Sequence, residues 1–176
     1  MRFFKNLIAS LKIQLCYNYS MRKKNYLFYL LIIISITCLD LFSKKLIADN
    51  FKLYESKTII DNFFYLTFVY NEGAGFSILR GQFIFFYLIT IGVLIFLAYI
   101  MYKHKGLLAY SAAIIFGGSL GNFIERLLNK RVIDMFEFRF FNYTFPIFNI
   151  SDIFICLGGF MLILYLIMEE INAKRN

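Results

Sequence analysis

Long apolar stretches alternate with polar segments along the chain, and four of these stretches are long enough to cross a membrane. A membrane helix needs roughly 20 mostly apolar residues. The four stretches lie at about residues 27–47, 83–102, 107–127 and 152–168. Two longer segments, 48–82 and 128–151, and one short turn connect them. The pattern therefore predicts a mainly α-helical integral membrane protein built as a bundle of four transmembrane helices.

Both longer connecting segments carry β-strand signals. Residues 58–71 are dense in β-branched and aromatic residues, which favour strands. In the second segment, phenylalanines alternate with charged residues in the order Phe136, Glu137, Phe138, Arg139 and Phe140. Alternation with a period of two gives a strand one apolar face, suited to a lipid or protein surface. We therefore predict a small β-sheet, a cradle at the outer membrane surface.

The composition supports a membrane protein with one domain. Of the 176 residues, 60% are hydrophobic and 17% are charged, whereas average soluble domains are roughly 45–50% apolar. No repeat or Pro/Ser-rich linker divides the chain, so we expect one domain at 27–171, an extension at 1–26 and a tail at 172–176. Residues 1–20 fit either an interfacial amphipathic helix or a stretch upstream of a functional start at Met21.

The distribution of positive charge predicts the orientation in the membrane. The formal net charge is +8, and cytoplasmic segments of membrane proteins are enriched in Lys and Arg. With both termini inside, the inner segments hold ten Lys and Arg residues and the outer segments hold six. We therefore expect both termini in the cytoplasm and both long loops outside. The positive charge then reflects topology and attraction to membrane phospholipid, and no nucleic-acid partner is expected.

The cysteines and the single histidine exclude two kinds of site. Cys16, Cys38 and Cys156 lie far apart, with no CxxC motif or nearby histidine, which is typical of thiols packed among apolar groups. His104 lies in a basic run typical of a solvated loop. A histidine-based metal site and a Ser-His triad are therefore excluded, and we expect no metal and no cofactor.

Polar side chains gather at the outer ends of the predicted spans, where each charged group costs at least about 2.5 kcal/mol. The set comprises Asp40, Lys44, Asn122, Arg126, Asp134, Asn149 and Asp152. Each member has an ordinary structural interpretation. Asp40 and Lys44, four residues apart, can neutralise each other. Asn122 can join helices, and Arg126 can reach lipid headgroups. Asp152 can cap the start of a helix. Their convergence on one level of the membrane favours function.

Two members of this set, Asp134 and Asp152, indicate paired chemistry. Two carboxyl groups held close together cannot both ionise easily, so they share a proton. One can then act as a general base on a water molecule while the other acts as a general acid on a carbonyl group. The result is peptide hydrolysis without a covalent nucleophile or a metal. The alternative is a small transporter or proton-coupled channel subunit, which clustering at one interface disfavours.

Five short motifs occur in order and at suitable spacing within the predicted spans. They are DLFSK (40–44), NEGAGFS (71–77), GGSLGNFIER (117–126), VID (132–134) and FNISD (148–152). Through these motifs the chain resembles the lipoprotein signal peptidase family, also called signal peptidase II, over about residues 24–170. The resemblance implies a four-helix bundle with a small β-cradle in the bacterial cytoplasmic (inner) membrane. It also implies an aspartic endopeptidase that cleaves diacylglyceryl-modified prolipoproteins just before the lipidated cysteine.

The resemblance further implies the site residues. The catalytic pair would be Asp134 and Asp152, which places the active site at the outer face. Residues that bind substrate or support the pair would be Asp40, Lys44, Asn71, Gly73, Phe76, Asn122, Arg126 and Asn149. Gly73 and Phe76 belong to the loop that closes over the substrate in this family. The partners would be the prolipoprotein substrates and membrane phospholipid, and we expect a monomer.

Four residues depart from the family pattern: Leu41 and Gly75, which replace a common Gln and a common Ala, and two residues beside the expected site. Glu125 stands where the family usually has Asp, which keeps the charge but lengthens the side chain by one methylene. Ser151 replaces the usual Ala before Asp152. Its hydroxyl can cap the helix or hydrogen-bond to the carboxylate. None of the four changes removes a catalytic group.

Overall fold

The computed structural model describes residues 2–73, 83–141 and 143–174, with backbone only for 2–25, 83 and 86. The elements are α1 (Arg2–Asn50), β1 (Ser56–Ile60), β2 (Phe64–Asn71), α2 (Phe83–Lys103), α3 (Gly106–Asn129), β3 (Val132–Phe140), β4 (Tyr143–Thr144) and α4 (Ile150–Ala173). Phe76, one of the residues expected at the site, lies outside the described residues.

The predicted mainly helical membrane fold is confirmed. Within the described part of the chain, three helical segments are long and apolar enough to cross a membrane: Tyr26–Asn50, Gly106–Asn129 and Ile150–Ala173. Helix α2 contributes a shorter apolar segment, Tyr87–Lys103. Each helix begins or ends close to the boundary expected from the apolar pattern, except α1. The backbone of α1 is already helical from Arg2, so the extension and the first span form one continuous helix.

Helix α3 lies at the centre of the bundle and packs against α1, α2 and α4. Its glycines permit the close approach. A Cβ atom on Gly117 would lie 3.2 Å from the backbone of Ile33 in α1, and one on Gly118 would lie 2.6 Å from the carbonyl oxygen of Ser151 in α4. Thr37 of α1 also donates a hydrogen bond to the Gly117 carbonyl at 3.0 Å. The backbone of α3 therefore contacts both neighbours, which brings polar side chains of three helices together at one end of the bundle.

The predicted small β-sheet is present: the four strands form one antiparallel sheet in the order β1-β2-β3-β4. Successive side chains of a strand point to opposite faces. On one face of β3, Ile133 and Met135 pack with Phe68 of β2 and Ile47 of α1 in a hydrophobic core. This packing attaches the sheet to the end of α1. Asp134, between those two residues, therefore points away from this core.

Candidate active site

Asp134 and Asp152 line the same cavity, although they come from different elements. Asp134 is the third residue of β3, and Asp152 is the third residue of α4. The cavity has a volume of about 470 Å³. Asp134 is only 3% exposed, so its carboxylate is almost completely removed from solvent. The structure thus brings together the two acidic residues that the sequence singled out.

Asn149 connects the two carboxylates. Its side-chain Nδ2 donates to Asp134 Oδ1 at 2.6 Å. Its backbone N–H donates to Asp152 Oδ2 at 3.2 Å, and its Oδ1 accepts the N–H of Asp152 at 3.1 Å. The last two contacts form a capping box, so the residue that starts α4 also holds the pair. The ordinary interpretation of Asp152 as part of a helix cap is therefore correct, and the same geometry positions its carboxylate.

Asn71 and Asn122 occupy the remaining carboxylate oxygens. Asn71, at the end of β2, donates from Nδ2 to Asp134 Oδ2 at 2.9 Å. Asn122, on α3, donates from Nδ2 to Asp152 Oδ1 at 3.0 Å. Each of the four oxygens of the pair thus accepts one hydrogen bond from an amide N–H. This arrangement orients both carboxyl groups before any substrate arrives.

Lys44 is the centre of a buried charge cluster, which we call the Lys44 cluster and which consists of Asp40, Lys44 and Glu125. The Lys44 Nζ atom lies 2.7 Å from Asp40 Oδ2 and 3.0 Å from Glu125 Oε2. It also donates to Asn122 Oδ1 at 2.8 Å. The ammonium group is therefore held by two ion pairs and one hydrogen bond. The predicted Asp40–Lys44 pair is present, and through Asn122 it reaches Asp152.

Arg126 links the cavity to the segment that follows β2. Its guanidinium donates from Nη2 to the carbonyl oxygen of Gly73 at 3.1 Å, and its side chain lines the cavity beside the acidic pair. Gly73 in turn donates its N–H to Asn71 Oδ1 at 3.0 Å. Both predicted residues, Arg126 and Gly73, are therefore in contact at the rim of the site.

Burial raises the pKa of Asp134 from 3.8 to about 7. Removal of the carboxylate from water is the main cause, and the nearby charge of Asp152 raises the pKa further. The hydrogen bonds from Asn71 and Asn149 and the positive charge of Lys44 act in the opposite direction. Asp134 therefore holds its proton to a higher pH than an exposed aspartate does.

The rest of the cavity wall is mainly apolar. It includes side chains from the segment before α4 and from the first turns of that helix: Phe145, Pro146, Ile147, Phe148, Ile153 and Cys156. The acidic pair is therefore the polar part of an otherwise apolar cavity. Such a site suits a peptide bond flanked by apolar groups.

Two residues are placed differently from what the sequence indicated. Glu125, noted only as a departure from the family, is a full member of the Lys44 cluster. The hydroxyl of Ser151 neither caps α4 nor binds a carboxylate: Asn149 is the cap, and Ser151 Oγ is buried without a hydrogen-bond partner among the described residues. Instead, the backbone N–H of Ser151 donates to Asp40 Oδ1 at 2.8 Å. The sequence did contain a sign of the role of Glu125: it lies three residues after Asn122, on the same face of the helix.

Comparisons with known proteins decide the family. Residues 32–168 match the family model described as Signal peptidase (SPase) II. The chain belongs to the signal peptidase II family. It is 39% identical over 153 residues to a lipoprotein signal peptidase of Bacillus pumilus, a match that covers 85% of this chain and 99% of the relative. It is 36% identical over 151 residues to the corresponding protein of Listeria monocytogenes, covering 84% and 98%.

Solved structures agree with this assignment. One is described as a bacterial membrane enzyme determined by the in meso method at 2.3 Å resolution. It is 34% identical in sequence and has a TM-score of 0.78, and the match covers 82% of this chain and 90% of that one. Another, described in the same words at 1.9 Å resolution, is 35% identical with a TM-score of 0.73, covering 79% and 92%. This member of the signal peptidase II family is therefore a peptidase and a multi-pass membrane protein.

Proposed function

We propose that the protein removes signal peptides from diacylglyceryl-modified prolipoproteins by cleaving just before the lipidated cysteine, with Asp134 and Asp152 as an aspartic dyad. The observation that carries the proposal is the bridge formed by Asn149, which binds both carboxylates at the wall of one cavity. Family membership supplies the peptidase activity. The geometry supports the two groups that perform it.

In the proposed reaction, the dyad enters with one proton between its two carboxyl groups. The ionised carboxylate removes a proton from a water molecule as the water oxygen attacks the carbonyl carbon, and the protonated partner donates to the carbonyl oxygen. When the tetrahedral intermediate collapses, the C–N bond breaks and a proton passes to the leaving amine. The proton that reaches the amine comes from the carboxyl group that had accepted it from water, and one hydroxyl proton of the intermediate returns to the other carboxylate. The products are a carboxylic acid and an amine, and the dyad again holds one proton. The amide contacts to Asp134 and Asp152 keep both groups oriented through these transfers.

The apolar cavity wall supports the choice of substrate and location. A signal peptide and a diacylglyceryl chain are both apolar, and each CH₂ group buried in lipid contributes about 0.8 kcal/mol to anchoring. A lipidated precursor would therefore be concentrated in the membrane, close to a site at the membrane edge, before it binds. We further propose that the site faces the outside of the bacterial cytoplasmic membrane, that both termini are cytoplasmic, and that the enzyme works as a monomer in contact with phospholipid.

The transporter alternative is less well supported. It requires a titratable group that exchanges protons along a path, and Asp40 was the candidate. Asp40 is fully buried, its Oδ1 accepts the N–H of Ser151, and its Oδ2 is paired with Lys44. A carboxylate held by these contacts suits a structural ion pair. Ion flux in proteoliposomes that depends on Asp40 would revive the alternative.

The decisive experiment compares cleavage of a purified lipidated precursor by the wild type, Asp134→Asn and Asp152→Asn. Either change removes a carboxyl group from the dyad while keeping its size, so cleavage should fall by more than about 1,000-fold. Asp61→Asn, an exposed aspartate outside the cavity, is the matched control and should cleave normally. Normal turnover by either dyad variant would exclude the proposed pair. Equal turnover of an unlipidated precursor would exclude the proposed substrate class.

A further inference from the structure

We propose that Glu125 is a positioning residue for the dyad, because its carboxylate joins the start of β3 to the Lys44 cluster. The inference rests on the proposed function, since the position of Asp134 matters only if Asp134 is catalytic. Glu125 does not line the cavity. It would therefore act through the residues that it holds and without contact with the substrate.

The two oxygens of Glu125 bind different elements. Oε1 accepts the backbone N–H of Ile133 at 3.1 Å, and Oε2 lies 3.0 Å from Lys44 Nζ. Ile133 directly precedes Asp134 in β3. Glu125 is only 5% exposed, and hydrogen bonds are electrostatically stronger away from water. One carboxylate on α3 therefore connects α1 with the strand that carries Asp134.

The Ile133 N–H lies at an edge of β3 where a further strand would otherwise pair. Alternate N–H groups of a strand point to the same edge. Met135, two residues after Ile133, donates its N–H to the Phe148 carbonyl at 2.9 Å. Glu125 and Phe148 thus supply, one after the other, the acceptors along this edge. Because an unpaired buried N–H is unfavourable, the Glu125 carboxylate fixes the beginning of β3 against α3, and Asp134 with it.

Lys44 then has one connection to each half of the dyad. Asn122 and Glu125 are three residues apart and share one face of α3. Asn122 accepts from Lys44 and donates to Asp152. Glu125 forms an ion pair with Lys44 and accepts a hydrogen bond from the residue next to Asp134. The relative position of the two proposed catalytic carboxylates therefore depends on both Asn122 and Glu125.

Glu125 also contributes a negative charge near the dyad. Asp134 interacts electrostatically with Lys44 of α1, Arg126 of α3 and Asp152 of α4, and Asp40 and Glu125 lie behind Lys44 as its ion-pair partners. Without the charge of Glu125, Lys44 would be less neutralised and would favour the ionised form of the dyad more strongly. The dyad should then lose its shared proton at a lower pH.

The test compares Glu125→Gln with Glu125→Asp in the full-length enzyme in detergent, using lipidated precursor. Gln has one acceptor oxygen and presents an NH₂ group to the other donor, whereas Asp keeps the charge and both acceptors. We expect Glu125→Gln to lower kcat by about ten-fold or more with KM changed by less than about three-fold, since the interaction acts on the reacting groups. The basic limb of its pH–rate profile should move to lower pH. Glu125→Asp should keep kcat within about three-fold and an unchanged basic limb.

The matched control is Glu169→Gln, which removes an exposed acid from the other end of α4. Wild-type kcat and an unmoved basic limb in Glu125→Gln would overturn the inference. A loss of folded protein alone would lower the yield but would leave the limb in place. If Glu125→Gln cannot be isolated in a folded form, Glu125→Asp becomes the test. A kcat of Glu125→Asp as low as that of Asp134→Asn would then overturn the inference. An active Asp134→Asn enzyme would instead refute the proposed dyad.

Discussion

Replacement of Asn149 separates its contribution to helix capping from its contribution to the dyad. Asn149 caps α4 through its Oδ1 and donates to Asp134 through its Nδ2. Ser is as good an N-cap as Asn, but its side chain is shorter by one bond and has no NH₂ group. Asn149→Ser should therefore keep the cap but lose both contacts of Nδ2, the one with Asp134 at 2.6 Å and a longer one with Asn122 Oδ1 at 3.2 Å. Asn149→Ala should lose both contacts and the cap.

The expected magnitudes follow from the two contacts. Loss of an N-cap costs about 1 kcal/mol, so Asn149→Ala should melt at a lower temperature than Asn149→Ser. A hydrogen bond to a charged group is worth about 1.5–3 kcal/mol. The 2.6 Å contact with Asp134 favours the ionised carboxylate, so its loss raises the pKa of Asp134 above its present value of about 7. One pKa unit corresponds to about 1.4 kcal/mol, so a rise of about one unit is expected in both variants.

The assay is the initial rate of precursor cleavage between about pH 5 and pH 9, together with thermal unfolding in detergent. Since the higher pKa retains the shared proton longer, the basic limb should move to higher pH by about one unit in Asn149→Ser and Asn149→Ala alike. This direction is opposite to that expected for Glu125→Gln. A basic limb that stays in place or moves to lower pH in Asn149→Ser would refute the argument. Equal melting temperatures of the two variants would refute the capping contribution.

Other consequences concern stability and access to the cavity. The folded-state pKa of Asp134 is raised, so its contribution to stability is complete below the unfolded value and is lost as the pH rises to about 7. Asp134→Asn removes this titration but turns an NH₂ group toward the donor of Asn71 or Asn149, a cost that is the same at every pH. The difference in free energy of unfolding between the variant and the wild type should therefore be more favourable to the variant near pH 8 than near pH 4, by up to about 4 kcal/mol; a difference that favours the variant more in acid would contradict this. Ser151→Ala should be neutral or stabilising, because its buried hydroxyl has no partner among the described residues. Gly121→Ala should lose about 1–3 kcal/mol of stability, since the new Cβ would lie 2.6 Å from Asp40 Oδ2, and an unchanged melting curve would show that the helices can separate there. Cys156 is exposed and lines the cavity, so a maleimide should inhibit the wild type and leave Cys156→Ala active.

The strongest parts of the fold could be predicted from local patterns. Apolar length located the helices, and the alternation of phenylalanine with charged residues located β3. Both patterns reflect whether a side chain contacts lipid, water or the protein core, and each residue's polarity indicates this directly. The exact first and last residues of the helices were not predicted, because caps determine them. Asn149 starts α4, and Lys130, with a φ of 56°, ends α3.

The site shows where prediction from sequence reaches its limit. The convergence of Asp134 and Asp152 was predictable because membrane depth orders residues that are far apart in the chain. The hydrogen-bond partners were not, because they depend on the register of β2 against β3 and on the rotation of α3. Tyr70 opposite Ile133 is a register that no local pattern specifies. For the same reason the contact between Glu125 and the Ile133 N–H could not be foreseen.

If Asp134 and Asp152 share a proton, as we propose, the hydrogen bonds from amide groups are compatible with that sharing. A cation in direct contact with both carboxylates would favour two ionised groups and would remove the general acid. The four hydrogen bonds to the dyad described above come from the amide groups of Asn71, Asn122 and Asn149. Amides orient a carboxyl group without neutralising it. Lys44 is paired with Asp40 and Glu125 and donates to Asn122, so its charge acts on the dyad from a distance, as does that of Arg126, which lines the cavity. The protein therefore fixes the geometry of the pair with one set of contacts and adjusts its protonation with another.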